Sequence, residues 1–374
     1  MSETWDVVIV GAGIVGAACA FQCVSRGMRT AVVEAKSIGG GATAAGMGHI
    51  VVMDDSPAQL ALTHYSQSLW QHLATVLPAS VEYEKCGTLW VAADDEEMQE
   101  VHRKSEVYAA AGVATEILDG PMLADAEPQL RRPLAGALLV PSDAVLYPPC
   151  AAGYLMDEAL RLGAQLYRRK VLSVHSGEVR LDDGTQLNST HIVIASGADA
   201  CDLLPALPIK KRKGHLVITD RYPGFVRHQL VELGYLKSAH SSTADSVAFN
   251  VQPRKTGQLL IGSSRQYGAE DTAVSQQTVA AMTERAQWYL PKIGGLSAIR
   301  VWAGFRAATP DKLPLIGPWP EDDSLFLATG HEGLGITTSL GTASILLDHL
   351  EGKSPSIPIS PYLPARFARS VVSA

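Results

Sequence analysis

Gly11, Gly13 and Gly16 stand in a G-x-G-x-x-G spacing directly behind an apolar run at 7–10, and Glu34 closes a second apolar run. Each glycine has its own reason: Gly11 permits a tight turn, Gly13 lets backbone approach a pyrophosphate, and Gly16 lets helix and strand pack closely. Phosphates would lie at a helix N-terminus, where unsatisfied N–H groups and the positive dipole end meet their charge. Glu34 is placed to accept hydrogen bonds from ribose hydroxyls, and it argues against NADP, whose 2′-phosphate it would repel. A second stretch of small residues, 39–49, holds Ala42, Thr43, Ala45, Gly46 and Met47 and ends at His49. So little side chain lets backbone lie against a flat or charged ligand, with His49 a candidate to face it. A third stretch, Gly330-His331-Glu332-Gly333-Leu334-Gly335-Ile336-Thr337, again combines glycines with a helix start and suits electron-rich atoms.

Particular elements must position these residues. The run 7–10 is short, β-branched and uncharged, which predicts a strand buried on both faces. Helical spacing at 14–25 stops at Gly27, and 29–33 is a second strand closing a βαβ unit. Ser56 and Pro57 open a helix whose buried stripe is Leu62, Leu69, Leu73 and Val76. Residues 81–86 and 88–92 read as paired strands, 94–111 as a surface helix ending at Gly112, and the proline-rich 121–149 as a crossing between domains. A helix at 151–162 and a β segment at 165–174 lead to a hairpin turning at Asp182-Asp183-Gly184. The strand at 191–198 ends in small residues, Ala195 and Gly197 among them, as suits a strand whose carboxyl end meets a ligand.

From 210 to 265 the pattern becomes alternating, with strands at 214–220, 229–237, 246–252 and 259–263, a mainly antiparallel sheet. The basic run 210–213 reads as a solvated edge of it. A helix at 274–290, a strand at 325–329 and a helix running to about 351 complete the chain.

The 374 residues suggest two interleaved domains, and 47% apolar against 18% charged residues is a globular composition. The net charge of −7 gives no basic footprint for nucleic acid. The absence of an eighteen-residue apolar run and of a charged leader points to a cytoplasmic protein without a membrane span. The five cysteines are scattered and odd in number, which supports neither a disulfide framework nor a metal site.

Two glycine-rich helix starts at opposite ends of the chain suit one long ligand, with adenosine pyrophosphate at one loop and a reactive ring at the other. This order resembles the FAD-dependent amino-acid oxidoreductases of the D-amino acid oxidase superfamily, in the branch of glycine oxidase, monomeric sarcosine oxidase and D-amino acid dehydrogenase. The matching motifs are Gly11 to Gly16 with Glu34, 39–47, 192–197, 304–317 and 330–337. The strings at 46–50 and 330–337 look closest to flavin subunits such as those of D-hydroxyproline dehydrogenase, opine oxidase and hydrogen cyanide synthase.

The resemblance implies an α/β fold: a Rossmann-like FAD domain with a parallel central sheet (1–80, 145–205 and 300–374) and a mainly antiparallel substrate domain (81–144 and 206–299). It implies that Ile14 and Val15 touch the pyrophosphate, and that Glu34, with Ala35 beside it, serves the ribose. Ala42, Thr43, Ala45, Gly46 and Met47 line the ring and its linker, near Gly304, and Val171 holds the adenine through its backbone. His331, Glu332, Gly333, Leu334, Gly335, Ile336 and Thr337 cover the pyrimidine edge. Arg306 matches the arginine that pairs with substrate carboxylate; an interdomain salt bridge is its alternative role. Sarcosine oxidases attach flavin to a cysteine near Gly304, and no cysteine follows Cys201 here, so the FAD is expected to be noncovalent. The further arginine of glycine oxidase in the loop matching Gly333 is missing.

The chemistry implied is hydride transfer from a substrate α-carbon to flavin N5 and hydrolysis of the resulting imine, with the cofactor carrying the difficult step. The acid–base candidates are Tyr235, Tyr267 and His49. The substrate would be a small amino or imino acid, with partner subunits or a homo-oligomer as further expectations. Competing readings are a tRNA-modifying or 2-hydroxy-acid flavoprotein, an electron-transfer subunit that needs partner chains, and a nicotinamide-binding regulator.

Overall fold

The computed structural model describes residues 4–234 and 246–367. Two eight-stranded sheets organise them. In the first, the strands Asp322–Thr329, Gln186–Ile194, Thr4–Val10, Thr30–Val33 and Gln165–Tyr167 lie side by side in that order and run parallel. Leu315–Trp319 adds an antiparallel edge, and Val171–His175 with Glu178–Leu181 branches off Gln186–Ile194.

The alternation within the first strand explains why it reads as an unbroken apolar run. Val7 and Ile9 pack with the helices Ile14–Ser25, Pro148–Arg161 and Gly335–Leu350, while Val8 and Val10 pack with Val171, Val179 and Leu327 on the opposite face. Both faces are covered, as a parallel sheet requires.

The second sheet runs Ala298–Ala308, Lys210–Thr219, Leu259–Arg265, Ser246–Pro253, Gln229–Glu232, Thr88–Ala92, Gly136–Val140, Glu116–Asp119. Only Gln229–Glu232 and Thr88–Ala92 pair in parallel; every other neighbour is antiparallel. A two-stranded ribbon, His49–Ile50 with Ala144–Val145, carries His49.

The helix Ile14–Ser25 and the cap at Ser56, whose Oγ accepts from Gln59 N–H at 3.1 Å, lie where the sequence places them. Elsewhere the structure corrects the reading. Residues 81–86 form no strand: Val81 ends the short turn Ala79–Val81, Glu82 takes a left-handed φ of 52°, and only Glu84 bridges, to Val145. Val76 lies beyond its helix and is 63% exposed, and the fully buried Trp70 supplies the contact instead. The segment 121–149 is more than a crossing, since Gly136–Val140 is an interior strand of the second sheet.

The basic run is not a solvated edge. Lys210–Thr219 is flanked on both sides by strands, and Arg212 and Lys213, which point to opposite faces of the sheet, are only 4% and 5% exposed. The boundary expected at residue 300 falls inside Ala298–Ala308, which pairs with Lys210–Thr219 along its length. Tyr235 lies outside the described residues.

Candidate active site

At the carboxyl ends of the parallel strands the first turn is locked by two glycines. Gly11 has φ +105°, and a β-carbon there would stand 2.8 Å from the Ala195 carbonyl oxygen. A β-carbon on Gly16 would stand 1.9 Å from the Gly11 carbonyl oxygen, so turn and helix touch through backbone alone. Gly13, the N-cap of the helix Ile14–Ser25, brings no capping side chain. Instead Thr43 Oγ1 accepts from Ile14 N–H at 3.0 Å, which ties the second glycine-rich stretch to the first. Glu34 accepts from Ala12 N–H and Lys36 N–H, each at 2.7 Å, so its carboxylate also braces the loop it was expected to serve.

The small residues at 39–48 are explained partly by protein packing. A side chain on Gly46 would meet Ile336 Cδ1 at 2.7 Å, one on Gly48 the Leu146 carbonyl oxygen at 2.0 Å, and one on Gly304 the Ala45 β-carbon at 2.3 Å. The short helix Gly41–Ala45 is thus pressed between the second sheet and the helix Gly335–Leu350. That helix begins at Leu334 with no capping side chain, and Trp70 Nε1 donates to the carbonyls of Ile336 and Thr337 at 3.2 and 3.1 Å.

One cavity of about 650 Å³ joins these parts. Of the residues singled out from sequence, Gly11, Gly13, Ile14, Val15, Glu34 and Ala35 line it, with Val171, Ala195 and Gly197. Ala42, Thr43, Ala45, Gly46, Met47 and His49 line it too, as do Gly304, Arg306 and the loop from His331 to Ile336. Gly16 and Thr337 do not line it. Gly16 packs behind the turn, and Thr337 Oγ1 donates to the His49 carbonyl at 2.9 Å and accepts from Val51 N–H at 3.3 Å, which fixes the ribbon that bears His49.

Arg306 sits where the two ends of the chain meet. Its Nη1 donates to the Ser264 carbonyl at 2.9 Å, and a β-carbon on Gly333 would lie 3.7 Å from its Nε. Glu332 N–H donates to Ala307 O at 2.9 Å, and Ala308 bridges His331. Arg306 is half-buried and lines the cavity; burial, then the like charge of Arg212, pushes its guanidinium down to about 10.

His49 also faces the cavity. Burial holds its imidazole down at about 4, against the Gln229 side chain beside it and with help from the charge of Arg306, and its Nδ1 meets no hydrogen-bond partner among the described residues. His331 is 8% exposed, its Nε2 lies 2.9 Å from Thr342 Oγ1, and burial pushes it down to about 3. Both rings are neutral at pH 7. Tyr267 OH accepts from Arg212 Nη1 at 3.1 Å.

Sequence reading missed Arg212, which forms an ion pair with Glu332, and Arg265, Gln229, Asn250 and Trp90, all of which line the cavity. No local signal in the basic run marks Arg212, since Lys210 and Lys211 are both exposed and Arg212 and Lys213 both buried, which is not a strand's alternation.

The donors fit a dinucleotide with a conjugated ring. Helix starts without capping side chains face one cavity, glycines at 11 and 13 hold backbone open, and none of the five cysteines lines the wall, in keeping with a cofactor held without a thioether. A parallel sheet bearing such a turn, joined to an antiparallel sheet across one long cavity, defines a dinucleotide-dependent oxidoreductase.

The chain belongs to the FAD-dependent oxidoreductase family known as DAO, whose profile matches residues 6–349. It is similar to glycine oxidase of Geobacillus kaustophilus, 29% identical over 97% of each chain. It is also similar to hydrogen cyanide synthase subunit HcnC of Pseudomonas aeruginosa, 28% identical over 98% of this chain and 97% of the relative. The crystal structure of glycine oxidase from G. kaustophilus superposes with a TM-score of 0.87 at 27% identity, covering 98% of this chain and 99% of the other. The cofactor is accordingly FAD. No described helix is long and apolar enough to cross a membrane.

Proposed function

We propose that the chain oxidises a small amino or imino acid, of the D-amino acid, D-hydroxyproline, glycine or sarcosine type, at its α-carbon. The observation that carries this reading is Arg306: a half-buried guanidinium beside the loop that opens the helix Gly335–Leu350, lining the same cavity as the dinucleotide turn. A guanidinium offers two parallel donors to a carboxylate and so fixes the substrate's orientation as well as its position.

FAD would be held by the turn at Gly11–Gly16, by Glu34, by residues 42–47 and by the loop 331–336. Bound there, it supplies the acceptor for the α-hydrogen and its electron pair, leaving an imine that water hydrolyses. The chain's own part is position and field. Arg306 takes the carboxylate, and fixed geometry of this kind can remove roughly 7–11 kcal/mol of barrier. The start of the helix Gly335–Leu350 places N–H dipoles where negative charge would develop. His49, kept neutral by burial and the charge of Arg306, can hydrogen-bond the substrate amine but is a weak base for it.

The similarity to a subunit of hydrogen cyanide synthase supports a second reading, in which the same oxidation needs partner chains to pass electrons on. One experiment tests both. Anaerobic bleaching of the flavin by glycine, sarcosine, proline, D-hydroxyproline and D-amino acids is followed by exposure to air or to an artificial dye. Bleaching by at least one of them is the expected result, and a flavin that none reduces overturns the proposal. Fast reoxidation by dye with slow reoxidation by oxygen favours the subunit reading.

A further inference from the structure

The carbonyl that holds Arg306 is free to do so because its strand bulges. Between the pair Val217 with Ile261 and the bridge Lys213 with Gln266, four steps along one strand (217 to 213) face five along the other (261 to 266). One extra residue interrupts the ladder, and the backbone groups beside it need other partners. His215 N–H donates to the Ser264 hydroxyl at 2.8 Å rather than to a carbonyl, and the Ser264 carbonyl accepts from Arg306 Nη1 at 2.9 Å.

The imidazole of His215 fixes this arrangement. Its Nδ1 lies 3.0 Å from the same Ser264 hydroxyl, and its Nε2 accepts from Ser275 N–H at 3.1 Å. A ring nitrogen that accepts from a backbone N–H carries no proton, so the single proton of the neutral ring is assigned to Nδ1 and donated to Ser264. His215 is fully buried, and burial first, then the charges of Lys213 and Arg306, hold its pKa below the ordinary histidine value. Ser275 is fixed in turn, since its hydroxyl caps the helix Gln276–Tyr289 by accepting from Thr278 N–H at 3.3 Å. Neither His215 nor Ser264 lines the cavity, so this run of contacts reaches the site only at Arg306.

We infer that His215 is a positioning residue for substrate binding: it locks Ser264 in the bulge, and so aims the guanidinium of Arg306 at the substrate carboxylate. This rests on the oxidation proposed above and adds to it a residue outside the cavity, on the far side of the strand from the substrate.

The test uses the FAD-loaded protein and whichever of glycine, sarcosine, proline, D-hydroxyproline and D-alanine bleaches its flavin best without oxygen. The half-saturating concentration and the limiting rate are read from the bleaching. His215→Leu, checked for an unaltered flavin spectrum, is expected to raise the half-saturating concentration about three- to ten-fold and to leave the limiting rate within about two-fold, the size of one misdirected hydrogen bond. His215→Gln, which offers an amide donor and acceptor in place of the two ring nitrogens, is expected to restore most of it. Ser264→Ala removes the hydroxyl and keeps the carbonyl, and is expected to repeat the effect of His215→Leu; it carries the test where the leucine variant fails to fold. In Arg306→Ala protein there is no guanidinium to aim, so adding Ser264→Ala is expected to change the second-order rate constant of bleaching by less than about two-fold.

A half-saturating concentration equal to the parent's in both His215→Leu and Ser264→Ala would overturn the inference and leave the oxidation standing. An effect of equal size with and without Arg306 would overturn it too, and make His215 a brace of the fold alone. A flavin that no amino acid bleaches removes the oxidation, and the inference with it.

Discussion

The guanidinium of Arg306 lies across Gly214, so close that a β-carbon built there would stand 2.2 Å from Nη1 and 2.8 Å from Cζ. Gly214 pairs with Gly304 on the neighbouring strand, which leaves a floor of bare backbone under the arginine. Gly214→Ala must therefore displace the guanidinium, a flexible group that can move without unfolding the sheet. The expected result is an unchanged flavin spectrum with KM for the substrate raised about ten-fold or more, as the carboxylate contact is misaligned. Steady-state kinetics on the purified variant check this, and a wild-type KM would show that Arg306 does not meet the substrate in this pose.

Arg306→Ala removes the clamp altogether. Among the described residues its hydrogen bond goes to the Ser264 carbonyl, so the fold and the flavin should survive its loss. The expected fall in kcat/KM is on the order of 10² or more, from one buried charge-assisted pair. Arg306→Lys should recover only part of it, because an ammonium cannot make two parallel bonds. Unchanged kcat/KM in the alanine variant would remove Arg306 from substrate binding.

What the sequence shows and what it hides follow from the range of the interactions. The turn at Gly11–Gly16, the helix Ile14–Ser25 and the opening of Gly335–Leu350 are dictated by neighbours in the chain, through turn geometry and apolar period, and they stand where the pattern puts them. Arg212 and Arg265 face the cavity because their strands pair with partners far along the chain, and no local pattern distinguishes the buried Arg212 from the exposed Lys211 beside it. The glycines at 46, 48 and 304 look alike in sequence, yet each is small for a contact with a different distant segment.

Thr43 links two of the glycine-rich stretches through one buried hydrogen bond, from Ile14 N–H at 3.0 Å. Thr43→Val keeps the shape and deletes the acceptor, which leaves a buried amide at a helix start without its partner. The FAD-free protein is expected to lose about 1–3 kcal/mol of stability, the usual cost of such an orphan. Urea unfolding followed by tryptophan fluorescence measures it. A variant as stable as the parent would mean that the Ile14 amide finds another acceptor.

His331 gives the fold a defined response to acid. Its imidazole is held down at about 3 by burial, against 6.5 for an exposed ring, so between those values the unfolded chain binds a proton that the folded chain refuses. Stability from this group is complete above pH 6.5 and is lost as pH falls toward 3, at about 1.4 kcal/mol per pH unit for one proton. At pH 4.5 the loss is roughly 2.7 kcal/mol by the same relation. His49, held at about 4, acts in the same direction, so the protein should weaken steeply just below pH 6.5. His331→Gln removes one of these protons. Its urea midpoint should lie below the parent's at pH 8, from loss of the Thr342 contact, and the gap should narrow at pH 4.5. Parallel pH profiles for the two proteins would show that the ring of His331 takes up its proton without unfolding the chain.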